Sequence, residues 1–398
     1  EMTVEQAREA TSKIPEELLG KINISVDVDG EVFNYNADNL GIVTDYEQVI
    51  EQAIAYGHSD SVDERKEAIR IAETEGVKFD VSIYAEKEKV AAVLLPLKER
   101  LYIEPVDADF TFSPWGFLTD GTPYIQDQED MIKNSANGKM YERPELMRLS
   151  PEDMPNKLRY QYWENDHYKK NYIPADADIA RFLYTESVAG RSVDMEAVVE
   201  KAMAAIQTGD YSIITAPVEV LEPAVKVEDL KSKTQLIASW TSSYSNHDGH
   251  NRNWNVAKLS GLINGIILEP GIEWSINGEV GPRTNAGGWK DAAGIVNGGY
   301  VQEPGGGVCQ ISSTLYNTAI RSSLDITDST HHSIRSDYIP YGLDATISMP
   351  GPDLKMKNPY DSPVYIISYV NPKDKNVTVE MYGPIAVDPE LGEVILDF

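Results

Sequence analysis

The sequence predicts an α+β protein of two domains, and three observations carry that prediction. A glycine run, Gly305–Gly307, leads into Val308-Cys309 and then into a helical period: Ile311, Leu315 and Ala319 are spaced by four, with Tyr316 and Ile320 beside them. Beyond it the chain turns to strands at Ala345–Met349, Val364–Val370 and Val377–Tyr382, the last two joined by Asn371-Pro372-Lys373-Asp374. Near the start, Asn23–Val28 and Val32–Tyr35 flank Asp29-Gly30, a strong hairpin signal. The expected architecture is an N-terminal α+β domain with an inserted arm, then a C-terminal domain in which a cysteine-bearing helix packs on an antiparallel sheet.

In chain order, Val4, Ala7, Ala10 and Ile14 fall on one side of a helix within residues 3–19, the end of a linker (1–19). The first domain spans 20–221. After the hairpin, helices are expected at 45–56, 62–75 and 85–101, with a strand at 77–83 between the last two. Glu104-Pro105-Val106-Asp107-Ala108-Asp109-Phe110 has a near copy in Ile173-Pro174-Ala175-Asp176-Ala177-Asp178-Ile179. Between the copies, residues 113–172 are rich in Pro, Tyr, Asn, Asp and Met and weakly periodic, which reads as an insertion. Tyr124, Tyr141, Tyr160, Tyr162 and Trp163 would offer it faces on which sugars stack; a plain spacer is the simpler reading. A helix at 194–207 and a strand at Tyr211–Val220 close the domain. A linker, 222–238, leads to the second domain, 239–384. There Val256, Leu259, Ile263 and Ile266 share a face of a helix at Asn253–Ile267. Short extended pieces follow at Gly271–Asn277 and Val280–Thr284. The tail, 385–398, is acidic.

With 398 residues the chain can build two or three cores. Its net charge of −29, concentrated before residue 232, argues against nucleic acid and anionic lipid as partners. A single cysteine excludes an intrachain disulfide. No apolar run reaches the roughly 18 residues of a membrane span. The first residue is Glu1, so a signal or anchor upstream is compatible with the sequence, and membrane contact is expected only through such an anchor.

The chemistry centres on Cys309. In the first turn of a helix, unpaired N–H groups and the helix dipole favour an anion, and the thiolate is the nucleophile. A lone cysteine is ordinarily a packing residue; the preceding glycines, which let a substrate come close, turn the reading toward reactivity. A thiolate needs a proton carrier, and histidine serves best near neutral pH. The candidates are His247, His250, His331 and His332. Asp344 then opens an expected strand, and the order Cys, His, Asp suits an acyl-transfer triad. His247-x-x-His250 lacks the second ligand pair of a zinc site. Asp27-Asp29-Gly30 lacks the oxygen ligands of a calcium loop. Gly305–Gly307 lacks the Lys-Ser/Thr of a phosphate loop. No metal or cofactor is expected.

Several stretches carry a resemblance: Asn251-Arg252-Asn253-Trp254-Asn255, Leu268–Asn277, Val280-Gly281-Pro282-Arg283-Thr284, Gly305–Asn317, Gly342–Thr346 and Pro352–Asn358. Residues 235–384 resemble the VanW family. Residues 20–221 more weakly resemble the peptidoglycan-binding domain that commonly precedes it, through the hairpin, Leu40-Gly41 with its following helix, and the Pro-x-Asp-Ala elements. The resemblance implies an exported protein facing the wall of a Gram-positive-type bacterium, tethered by an N-terminal transmembrane segment, with peptidoglycan stem peptides and glycan as partners; a monomer is expected. It implies a peptidoglycan L,D-transpeptidase making 3→3 cross-links through a thioester on Cys309, with His332 as base and Asp344 orienting it. Arg283 would bind a substrate carboxylate through its bidentate fork. Gln310, or the backbone N–H groups of Cys309 and Gln310, would form the oxyanion hole. Gly307, Ser312, His331 and Tyr338 complete the residues expected around the substrate. The family's R-x-x-H-S reads as Ser329-Thr330-His331-His332-Ser333 in this sequence, without the arginine and with a second histidine. Trp274 and Ile276 stand where the family has phenylalanines. The alternatives are a carboxypeptidase or endopeptidase using the same cysteine, and a wall-binding module in which Cys309 is structural.

Overall fold

A computed structural model describes residues 3–58, 60–117, 180–244, 249–296, 298–371 and 375–385. The expected arm beyond residue 117, its stacking aromatics, the repeat at Ile173–Ile179, His247 and the tail from residue 386 lie outside the described residues. The fold is α+β with several small sheets. It divides into two compact units, Glu1–Asp107 with Ser187–Ala224, and Ala108–Glu186 with Val225–Phe398.

The first unit begins with two short helices, α1 (Val4–Thr11) and α2 (Ile14–Leu19). Thr3 and Gln6 form a capping box at the start of α1. The hairpin follows as β1 (Asn23–Val28) and β2 (Glu31–Asn36). Asp29 and Gly30 both take positive φ, 52° and 89°, as a two-residue hairpin turn requires. The two aspartates at this turn are engaged locally: the Asp27 carboxylate accepts the Gly30 N–H at 2.8 Å, and Asp29 pairs with Arg191 at 2.9 Å. Next come β3 (Val43–Thr44), α3 (Tyr46–Ala55) and α4 (Val62–Thr74). The strand expected at 77–83 reduces to β4 (Ile83–Tyr84), paired with β3. The helix expected at 85–101 is broken into α5 (Lys87–Leu94) and α6 (Leu97–Leu101) at Pro96, which has no N–H to continue the ladder. After β7 (Gly190–Val193), α7 (Met195–Thr208) starts at an Asp194 cap and ends on left-handed Gly209. The single strand expected at Tyr211–Val220 is two: β8 (Ile214–Thr215), parallel to β1, and β9 (Val218–Leu221), antiparallel to β7. The core gathers Ile24, Val26, Leu40, Leu94, Val198 and Ala202 from these elements.

The second unit opens with β5 (Asp109–Phe117), paired with β6 (Ala180–Thr185). Where a linker was expected over 222–238, α8 (Val227–Ser232) and the start of β10 (Gln235–Ser243) stand. α9 (His250–Ile263) stops short of its expected end, because Gly265 takes φ 92° and β11 (Ile266–Leu268) takes over. Then come β12 (Glu273–Ser275), α10 (Ile276–Val280), and a hairpin of β13 (Asp291–Val296) and β14 (Gly299–Pro304). The cysteine helix is α11 (Cys309–Arg321), followed by β15 (Asp325–Asp328) and β16 (Lys355–Lys357). The expected C-terminal hairpin is β17 (Val364–Asn371) and β18 (Asn376–Gly383). Four antiparallel strands run β10-β18-β17-β11, and a second sheet runs β12-β16-β15.

Strand alternation gives the larger sheet two different faces. Val377, Val379 and Met381 of β18 join Ile311 and Leu315 of α11 and Leu259 of α9 in one core. Glu380 and Tyr382 point the other way, under the β5–β6 pair, where Phe182 packs against Tyr365 and Tyr382 with ring centroids 5.0 and 5.7 Å away. Arg181 reaches Glu380 at 3.3 Å, and Tyr369 and Tyr382 donate to the same carboxylate. Ile276, at an expected phenylalanine position, is fully buried in the α9–α11 core and Trp274 packs against it. Among the described residues no helix is long and apolar enough to cross a membrane.

Candidate active site

The glycine run shapes the approach to α11. Gly305 and Gly307 take φ of 87° and 97°, closed to most residues. Gly306 lies against the β13 backbone: a Cβ there would sit 2.2 Å from the Ala292 carbonyl oxygen. Gly307 lies under Arg252, whose Cγ would be 2.5 Å from an added Cβ. The first turns of α9 hold this loop from the other side. Asn255 donates to the carbonyls of Lys290 and Gly306 at 2.8 and 3.0 Å, Asn251 to that of Asp291, and the Trp254 indole to that of Gly288.

One face of α11 is buried and polar, and it explains a missing strand. Residues 345–349 belong to no sheet. Helix side chains and carbonyls outside any sheet satisfy that backbone in place of a ladder. Ser312 donates to the Ala345 carbonyl at 2.6 Å, the Ala345 N–H donates to Ser313 at 3.0 Å, and Asn317 donates to the Leu343 carbonyl at 2.6 Å. The Thr346 N–H reaches the Thr330 carbonyl at 2.8 Å and so fastens the segment carrying the histidines. Pinned this way, the segment brings the Ile347 N–H and the Thr346 hydroxyl each to 3.5 Å from the Cys309 sulfur.

Asp344 leads this segment and faces both histidines. Its Oδ2 lies 2.6 Å from His332 Nδ1 and accepts the His332 backbone N–H, also at 2.6 Å. With Nδ1 held there, Nε2 is the nitrogen left for the thiol, and His332 and Cys309 interact directly. The His332 side chain is 6% exposed. That of His331 is 55% exposed, and its Nδ1 lies 2.7 Å from the Asp344 carbonyl oxygen. Of the two, it is His332 that joins Cys309 and Asp344.

The electrostatics follow from this packing. Burial pushes the Cys309 thiol up, but the hydrogen bond and charge of His332, with the Ile347 N–H and Thr346, outweigh it and leave the thiol below its ordinary value. Burial pushes His332 down, and Cys309 and Asp344 together carry it above its ordinary value. Burial raises Asp344, and the backbone and ring of His332 bring it below the usual carboxylate range. All three shifts favour a thiolate–imidazolium pair.

A cleft of about 520 Å³ opens on Cys309 and His332, lined also by Arg252, Gly307, Arg335 and Tyr338. Burial, reinforced by the charge of Cys309, raises Tyr338. Gln310 is fully buried: it donates to Ser242 and accepts from Arg252 at 2.9 Å, and its N–H reaches the Gly307 carbonyl. The Cys309 N–H has no acceptor among the described residues. Ser312 serves the Ala345 carbonyl. Arg283 is half-buried and off the cleft lining; both its terminal nitrogens donate to Asn277 Oδ1, at 3.2 and 3.1 Å. Burial lowers its guanidinium, against the attraction of Cys309, Asp353 and Glu303. Sequence reasoning had passed over Arg252, Thr346 and Arg335 as site residues. Only Arg252 had a local signal, lying inside the polar Asn-Arg-Asn-Trp-Asn run that opens an otherwise apolar helix.

Comparison with known proteins adds the following. Residues 251–382 match the family model described as "VanW like protein", and residues 33–117 the one described as "Putative peptidoglycan binding domain". The chain is 34% identical over 178 residues to the uncharacterized protein YoaR of Bacillus subtilis, covering 44% of this chain and 58% of that one. It is 31% identical over 117 residues to the vancomycin B-type resistance protein VanW of Enterococcus faecalis, covering 28% of this chain and 42% of that one. The chain thus spans about half the length of these relatives. No solved structure matches it.

Proposed function

We propose, from its likeness to the VanW family and to a peptidoglycan-binding domain, that the chain works in a cell-wall setting as a cysteine acyltransferase: an L,D-transpeptidase acting on peptidoglycan stem peptides at the exported face of the cell. The observation that carries this reading is the Cys309–His332–Asp344 arrangement, with Cys309 and His332 lining an open cleft.

Each residue has a defined part. The Cys309 thiolate attacks the carbonyl at the L-centre of the third stem residue, a diamino acid. The Cys309 N–H, at the start of α11, donates to the oxyanion that forms. The C–N bond breaks, and the imidazolium of His332 gives its proton to the departing D-alanine amine. Asp344 keeps Nδ1 protonated and the ring aimed at sulfur. The side-chain amine of a second stem then attacks the thioester and loses a proton to His332, the C–S bond breaks, and Cys309 leaves as the thiolate. The product is a 3→3 cross-link. Water in place of that amine would give a trimmed tripeptide.

The test is product analysis after incubating the protein with disaccharide-tetrapeptide. A 3→3 dimer, absent with Cys309→Ala, supports the transpeptidase. Tripeptide alone makes the enzyme a hydrolase. Neither product, from a folded protein that still binds sacculi, reduces it to a wall-binding module.

A further inference from the structure

Arg335 stands apart from the other arginines. The chain carries 64 acidic against 35 basic residues, so an arginine without a carboxylate beside it is unexpected. Among the described residues, Arg8, Arg70, Arg100, Arg181 and Arg191 are ion-paired. Arg252, Arg283 and Arg321 donate to Gln310, Asn277 and Asn317, and Arg65 is also engaged. Arg335 makes no ion pair or hydrogen bond with any described residue. It is exposed, and it lines the Cys309 cleft. It also lines a second cavity of about 230 Å³ that holds His331, His332 and Asp344. Asp337 lines the cleft too, without pairing with it.

Resting on the transacylase reading above, we propose that Arg335 binds the terminal carboxylate of the donor peptide, the carboxylate of the residue that leaves. Position and chemistry agree. The leaving group is an amino acid whose amine takes its proton from His332, and its carboxylate is one carbon from that amine. The cation that reads the carboxylate must therefore adjoin the base. Arg335 follows His332 by three residues and shares both cavities with it. A guanidinium matches a carboxylate bidentately. One extra residue on the donor would carry the carboxylate about 3.5 Å farther away. Arg335 thus selects donors that end one residue past the scissile bond. In the reaction, thiolate sulfur bonds to the carbonyl carbon, the C–N bond breaks, the His332 proton goes to nitrogen, and the amino acid departs still ion-paired to Arg335.

The experiment compares a tetrapeptide stem ending in a free acid, the same stem ending in an amide, and the pentapeptide. Binding is measured on the full chain carrying Cys309→Ala, and thioester formation on the chain with Cys309 intact, each with Arg335, Arg335→Gln or Arg335→Lys. The expected result is that the acid tetrapeptide is favoured over the amide and the pentapeptide by about tenfold or more. Arg335→Gln should erase that preference while alkylation of Cys309 by iodoacetamide stays unchanged, and Arg335→Lys should restore part of it. Equal handling of acid and amide by the unaltered protein, or a loss shared equally by all three peptides in Arg335→Gln, overturns the proposal. An acid preference in binding that depends on Arg335, with no thioester formed, would sustain the carboxylate site while refuting the acyltransfer chemistry.

Discussion

At the scale of single residues, the account turns on one proton shared between Cys309 and His332. The thiol lies below its ordinary value and the imidazole above its own, both through their contact and against burial. Both shifts favour the ion pair over the neutral thiol and imidazole. As pH rises, the inflection in Cys309 alkylation should fall below the roughly 8.5 of a free cysteine. His332→Gln removes the hydrogen bond and charge that oppose burial most, leaving only the Ile347 N–H and Thr346 against it, so the inflection should move upward. An inflection that stays put in that variant would detach the imidazole from the thiol. Asp344 adds a linked effect on stability. Its carboxyl is depressed in the folded state, so its contribution is complete above the unfolded value of about 3.9 and is lost as pH falls through the lower folded value. Sequence order had nominated Cys309, a histidine and Asp344. The choice between His331 and His332 was open in the residues themselves, because neighbouring side chains differ only in where the folded backbone sends them.

At the scale of elements, the site depends on how α11 is seated and what it holds. Gly306→Ala would drive a methyl group into the Ala292 carbonyl, a backbone atom that cannot swing aside, and should cost about 2–4 kcal/mol in denaturant unfolding. Asn317→Leu leaves the Leu343 carbonyl without its donor. It should cost about 2 kcal/mol and slow Cys309 alkylation at neutral pH, since Asp344 follows Leu343 directly. A variant with full stability and full reactivity would mean that the helix does not hold that segment. Legibility divides along the same line. The Asp29-Gly30 turn and the α11 period are local signals and survive into the fold. The extended chain at 345–349 carried a strand-like composition, yet Ala345 pairs with two hydroxyls on a helix, and Thr346 and Ser348 with the Thr330 and Pro352 carbonyls, none of them in a sheet, which no window of sequence reveals. The β13–β14 hairpin was announced by Asn297-Gly298 between apolar residues, a turn signal that sequence reading passed over.

At the scale of the whole molecule, the second unit is sealed on both faces of its main sheet. α9 and α11 cover one face. β5 and β6, which flank the inserted stretch, cover the other with Phe110, Phe112 and Phe182 against Tyr365. The sequence suggested that the arm interrupts the N-terminal domain; its flanks instead pack with the unit that carries Cys309. The aromatic content of β5 and β6 was visible, but the face they cover is defined by residues far later in the chain, Tyr365 and Tyr382. Phe182→Ala should destabilise that unit by about 3–5 kcal/mol in denaturant unfolding. A cost near zero would mean that the pair rests on the sheet without sealing it.

The measurement that bears most directly on the central claim is the intact mass of the protein after brief incubation with disaccharide-tetrapeptide. The account predicts a new species heavier by the disaccharide-tripeptide acyl group, sensitive to hydroxylamine as a thioester should be, and absent with Cys309→Ala. A folded protein that binds the peptide and whose mass never changes, even when the reaction is quenched within seconds, would contradict it.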